Sequence, residues 1–156
     1  MIRRCYDSYH LSMDSDPTAS PLPSQIANGA SLSGNEYGWE LSAFPDALRS
    51  AEGLGYACIG GQFQFRTADA VYEMYWLNAD ATERTVGEPW SVYCHRSCNE
   101  VGERFNALVA KKDFQAEAAN WVALLERPAI GSDLRNNLVF VAYFLTEREY
   151  DANKTR

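Results

Sequence analysis

Tyr56-Ala-Cys-Ile-Gly-Gly-Gln-Phe-Gln-Phe65, a turn over Arg66 to Asp69, and Ala70-Val-Tyr-Glu-Met-Tyr-Trp-Leu77 together read as a β-hairpin over 56–77. In the first arm Ile59, Phe63 and Phe65 fall on one side and Gln62 and Gln64 on the other, the period of a strand. Gly60-Gly61 inside that arm predicts a bulge or a close backbone approach. In the second arm strict alternation puts Tyr72, Met74 and Trp76 on one side and Val71, Tyr75 and Leu77 on the other. Both sides are apolar apart from Glu73, so the hairpin is expected to be covered on both faces.

Working outward, Gly87-Glu88-Pro89-Trp90 opens a long helix, with the proline at or near its first position. Trp90, Cys94, Cys98, Val101, Phe105 and Leu108 form its core-facing stripe. A second helix carries Phe114, Ala118, Trp121, Val122 and Leu125 and stops before Pro128. Gly131 to Asn137 reads as a loop or short turn. Leu138-Val-Phe-Val-Ala-Tyr-Phe-Leu145 is apolar at every position and reads as a central strand buried on both faces; a buried helix from Ser132 is the competing assignment. The tail from Asp151 is expected to be loose. Upstream, Ser42 is the expected N-cap of a helix with Pro45 and Asp46 in its first turn, ended by Gly53 and Gly55. Residues 12–35 are rich in Ser, Pro, Gly, Asn and Asp, and Pro17, Pro21 and Pro23 forbid a continuous helix, so a loop or extended segment is expected there. A short strand is assigned to Ile2–Tyr6. The sum is one α+β domain over 1–156: a small antiparallel sheet (hairpin 56–77 plus strand 138–145) against about three helices.

Composition narrows the function. The 156 residues are 46% hydrophobic and 13% aromatic, as in a folded globule. Asp+Glu number 21 against 14 Lys+Arg, a net charge of −7. That disfavours a phosphate-tracking nucleic-acid binder and docking on anionic lipid, and favours a basic partner. Arg3 and Arg4 are followed by no apolar run, so no signal peptide is read, and the longest apolar run is too short for a bilayer. A cytoplasmic protein with four reduced cysteines is expected.

Motifs for chemistry are few. Gly53-Leu54-Gly55 has Cys58 where a dinucleotide fingerprint needs its third glycine, and it leads into a strand. Cys94-His95-x-x-Cys98 puts two thiols one helical turn apart, but His95 is turned about 100° from Cys94 and the other candidates, Cys5, Cys58 and His10, are distant in sequence. Buried thiols within the apolar stripe are the expectation, with no metal and no cofactor. Adjacent helical residues do not face each other, so a Cys–His nucleophile pair fails as well, and no catalytic residue is assigned.

Charge placement is more informative. Asp69, Glu73, Asp80, Glu83 and Glu88 decorate the hairpin and the acidic loop after it, interleaved with Tyr72, Tyr75 and Trp76. Ordinary solvated carboxylates beside core aromatics are the plain explanation. The strand with Gly60-Gly61, the next strand with its late Trp76, and Gly87-Glu88-Pro89-Trp90-x-x-Tyr93-x-x-x-Ser97 opening a helix together resemble small cytoplasmic immunity proteins of bacterial polymorphic-toxin systems. The likeness covers about residues 39–109, from Trp39 onward. It implies a non-enzymatic antitoxin of bacterial competition that binds a cognate toxin tightly. Charge adds that the toxin is basic, such as a nuclease. The toxin-binding residues assigned on these grounds are Asp69, Glu73, Tyr75, Trp76, Asp80, Glu83 and Glu88. The alternative is a small α+β enzyme or ligand-binding domain with a pocket between sheet and helices near Gly60-Gly61. A third is an adaptor tethered through 12–35.

Overall fold

The structure, a computed structural model, describes residues 21–126 and 134–154. In chain order it runs through helix α1 (Ser24–Ala27), strands β1 (Ala30–Ser33) and β2 (Glu36–Glu40), helix α2 (Phe44–Gly53), and strands β3 (Ala57–Arg66) and β4 (Val71–Asp80). The long helix α3 (Trp90–Lys111), short helices α4 (Phe114–Ala118) and α5 (Val122–Leu125), a 3-10 turn (Leu134–Asn137), strand β5 (Leu138–Leu145) and helix α6 (Glu147–Lys154) complete it. The strands form one open antiparallel sheet in the order β1-β2-β5-β3-β4. The α+β class and antiparallel sheet expected from the sequence hold. The described residues add two strands to the expected three and carry six helices, not about three. None of these helices is long and apolar enough to cross a membrane.

The last strand lies in the middle, and its unbroken apolar run is explained by burial of all eight residues. Leu138, Phe140, Ala142 and Phe144 enter one core with Phe44, Phe63, Phe65 and Phe105. Val139, Val141, Tyr143 and Leu145 enter a second with Ala57, Ile59, Tyr93 and Tyr150. Phe140 is the hub of the first, with ring centroids of Phe44, Phe63 and Phe105 at 4.7, 4.9 and 5.1 Å. A strand this apolar on both sides is stable only between two covers, which settles strand against helix at 138–145.

The Gly60-Gly61 step does both things its sequence allows. A bulge between Cys58 and Gly60 leaves Ile59 as the extra residue. Ile59 therefore joins Val141 in the second core, not Phe63 and Phe65 as alternation predicted. Gly60 sits at φ 150°. A Cβ on Gly61 would lie 2.3 Å from the Val141 carbonyl oxygen and 2.4 Å from the Phe140 ring. At Gly61 the backbone therefore approaches the central strand and the Phe140 ring directly.

A second irregularity matters more for the surface. Gln62 pairs with Asn78 while Phe63 pairs with Met74, so Tyr75, Trp76 and Leu77 bulge out of β4. Strict alternation fails there. Leu77 rejoins Met74 in the first core and Trp76 is left 41% exposed.

The second face also carries polar residues. Arg66 donates from Nε to Gln64 Oε1 at 2.6 Å and from its two Nη atoms to the backbone oxygens of Ser31 and Glu36 at 2.8 and 3.0 Å. One side chain thus ties β3 across β5 to β2 and β1. Gly38 leaves it room, since a Cβ there would lie 2.9 Å from Arg66 Cζ.

Other expectations shift. The 12–35 loop is regular from Ser24: α1, then β1 and β2 joined through Gly34-Asn35, with Gly34 at φ 62° as a two-residue hairpin requires. Residues 12–20, and the strand assigned to Ile2–Tyr6, lie outside the described residues. Ala43, not Ser42, precedes α2, with Asp46 in its first turn and Gly55 at φ 82° after it. The helix expected over 114–125 breaks at Trp121, which is extended at φ −130°, and leaves Val122 and Leu125 exposed. Of the tail expected to be loose from Asp151, residues 151–154 form the second half of α6, and 155–156 lie outside the described residues. Thr146 and Glu149 cap that helix reciprocally, Thr146 N–H to Glu149 Oε1 at 2.9 Å and Glu149 N–H to Thr146 Oγ1 at 3.3 Å.

Candidate partner-binding surface

The seven residues assigned from the sequence are spread along β4, whose ten residues span at most roughly 30 Å, and the loops flanking it. Asp69 lies in the β3–β4 turn, and Glu73, Tyr75 and Trp76 lie in the first half and middle of the strand. Asp80 ends the strand, and Glu83 and Glu88 lie in the loop after it.

At the first end the bulge turns Trp76 outward against α4 and α5. Its indole stacks on Trp121 with centroids 5.8 Å apart and planes 24° from parallel. Its Nε1 donates to Glu117 Oε1 at 2.8 Å. Trp121 in turn packs edge-on against Phe65 and, at 5.6 Å, against Tyr72, so the pair is anchored to the first core. Tyr75 meets Trp76 edge-on at 5.2 Å. Val71 is exposed on the same strand, and Val122 follows Trp121. Asp69 accepts from Thr67 Oγ1 in the turn, and Glu73 accepts from Gln62 Nε2 on the second face. Trp121 and Glu117 were not among the assigned residues. In the sequence Trp121 fits a helical core stripe, and only the break before it turns the indole toward Trp76.

At the second end the loop 81–89 is tied down by Arg96 of α3. Its Nε and Nη2 hold the two oxygens of Glu88 at 2.9 and 2.8 Å, Nη1 reaches Glu100 at 3.0 Å, and Nη2 also donates to the Glu83 carbonyl. Glu88, assigned to a partner, is thus an internal ligand, its side chain only 8% exposed. Glu83 is exposed and pairs with Lys154 of α6 at 2.9 Å. Asp80 ends β4, half-buried, and its carbonyl accepts from Arg104.

The fork of Arg96 holds the Glu88 carboxyl down at about 2, helped by the Thr85 backbone N–H. That is below the unfolded carboxylate value of about 4.3. The bond therefore stabilises the fold fully above pH ~4.3 and its contribution fades as pH falls toward 2. Glu88→Gln should reduce stability at pH 6 and cost progressively less toward pH 2, as read by urea unfolding of both proteins across that range.

The cysteines of the motif lie in the core. Cys58, Cys94 and Cys98 are buried free thiols. Burial pushes Cys94 up to about 11 and Cys98 up to about 12, and raises Cys58 well above its ordinary value. His95 points outward to Glu52, with Nδ1 2.7 Å from Oε2. Among the described residues no three His, Cys, Asp or Glu side chains gather as metal ligands. Cys5 and His10 lie outside them. An open groove lies between α2 and α3, lined by Pro45, Leu48, Glu52, Asn99, Gly102 and Asn106 among others.

The fold and this surface define an α+β protein with an open five-stranded antiparallel sheet and an aromatic edge. Compared with protein-family models, curated proteins and solved structures, the chain finds no match.

Proposed function

We propose that this chain is an immunity protein that binds a bacterial toxin made beside it and neutralises it by covering the toxin's working face. One observation carries the proposal: a stacked indole pair, Trp76 on Trp121, set at the surface of an edge strand and braced by a carboxylate. Exposed aromatics fixed in place by packing present large contact area with little rotamer entropy left to lose on binding. The net charge of −7 favours encounter with a basic partner. Within the assigned set, Tyr75 and Trp76 supply the contact area, and Asp69 and Glu73 supply carboxylates at the same end of the hairpin. Glu83, exposed but paired with Lys154, stands at the far end, whereas Glu88 acts through the loop it shapes.

The test is co-expression with the product of the gene adjoining this chain's own. The two proteins are expected to co-purify, and the chain is expected to restore growth to cells making that product. Growth arrest unrelieved by this chain, with no complex isolated, sinks the proposal.

A further inference from the structure

Two glutamines of the second sheet face are buried far from the helices that reach that face. Gln62 and Gln64 are both 0% exposed, and their neighbours on β5, Val141 and Val139, are buried as well. The described helices enter the second core only through Trp90, Tyr93, Cys94 and Tyr150. That cover sits at one end of the face. Trp90 donates to the Gly55 carbonyl, and α6 begins two residues after Leu145, the partner of Ala57. Gln62 and Gln64 lie five and seven residues beyond Ala57 along β3, about 15–25 Å away.

Each glutamine has one amide atom already engaged. Gln62 Nε2 donates to Glu73 Oε1 at 2.9 Å, and Gln64 Oε1 accepts from Arg66 Nε at 2.6 Å. A carboxylate only accepts and a guanidinium only donates, so both amides are fixed in orientation. Gln62 Oε1 and Gln64 Nε2 are left buried with no hydrogen-bond partner among the described residues. Buried amide groups ordinarily find partners. The face thus presents one acceptor and one donor, a strand repeat of ~7 Å apart. An ion of one sign answers only one of them. An extended backbone answers both, because its N–H and C=O groups recur along one edge with that same repeat.

We infer that this face is the docking site of the chain's own N-terminal stretch Ile2–Tyr6, with a backbone N–H donating to Gln62 Oε1 and a backbone carbonyl accepting from Gln64 Nε2. Reach allows it. Leu22 N–H donates to Tyr37 Oη at 3.3 Å, so the chain enters the described fold beside β2, two strands from β3. Fourteen residues separate Tyr6 from Pro21, up to about 46 Å of chain, enough to round the sheet and cross about 10 Å of it. Charge fits too. The face carries the carboxylates of Glu73 and of Glu36, which accepts from Tyr143 Oη at 2.7 Å, against the one guanidinium of Arg66. Ile2–Tyr6 brings Arg3 and Arg4 and no acid. The inference stands apart from the partner-binding proposal. Its consequence is that the second face is closed by the chain itself and is not a surface for another protein.

Hydrogen exchange of the full chain, free in solution, tests it. The amides of Arg3–Tyr6 are expected to exchange about 100-fold more slowly than in a synthetic peptide of residues 1–20. In Gln64→Glu the new carboxylate still accepts from Arg66 but cannot donate to a carbonyl. Protection of Arg3–Tyr6 should then fall about tenfold while the amides of β5 keep theirs. Exchange of Arg3–Tyr6 at the peptide's rate in the natural chain would overturn the inference, and so would protection that Gln64→Glu leaves untouched. Protection that arises only once the adjoining-gene product is added would overturn it as well and give the face to that partner.

Discussion

Gly61→Val should lower stability by about 3 kcal/mol or more, seen as a fall of roughly 6–12 °C in melting temperature. The new Cβ alone would meet the Val141 carbonyl at 2.3 Å and the Phe140 ring at 2.4 Å. Neither can step aside. Val141 belongs to the central strand, bonded to neighbours on both sides, and Phe140 is wedged between Phe44, Phe63 and Phe105. Gly53→Ala is the control. No atom lies within 4 Å of its added Cβ, and Gly53 closes α2 with helical geometry. That variant should be neutral or gain up to about 1 kcal/mol. Thermal unfolding of both proteins checks the pair. Equal, small effects would mean that the two sheet faces are not packed as described.

Trp76→Ala is expected to weaken binding of the proposed toxin partner by about 30-fold, near 2 kcal/mol, at a cost of only about 1 kcal/mol in fold stability. The asymmetry follows from position. Trp76 is 41% exposed and gives the fold a stack on Trp121, an edge contact with Tyr75 and one hydrogen bond to Glu117. The same exposed area is what a partner would cover. Calorimetric titration beside a melting curve separates the two effects. A variant that unfolds without a specific loss of affinity would make Trp76 a structural residue only.

How much of this was legible beforehand depends on which signal each segment carries. β3, β5 and α3 announce themselves, because a period of two, an eight-residue apolar run and a stripe at spacings of four and three each have one good solution. The β1–β2 hairpin was hidden because Ser, Gly and Asn dominate it and the prolines just before it suggested coil. Gly34-Asn35 between Leu32 and Tyr37 was the overlooked hairpin signal. Thr146-Glu-Arg-Glu149 was an overlooked capping box, and with it α6 was missed. The three-residue bulge at Tyr75–Leu77 left no trace, since both faces of β4 are apolar and a shift of register looks the same in the sequence.

The candidate surface was half legible for the same reasons. Tyr75 and Trp76 were assigned from aromatic character next to acid. Their partners Trp121 and Glu117 lie 41 and more residues away in the chain, beyond any local pattern. Glu88 was counted as a surface carboxylate because its ligand, Arg96, sits two turns into the following helix. Thr85-x-x-Glu88 before a helix is the capping-type pattern that pointed to an internal role.

Hydrogen exchange on the chain, free and bound to the adjoining-gene product, tests the central claim most directly. Bound, the amides of Val71–Trp76 and Glu117–Val122 should gain protection while the α2–α3 groove stays unchanged. Protection confined to that groove, or to the β1 edge of the sheet, would show that recognition happens elsewhere and that the paired indoles are not its centre.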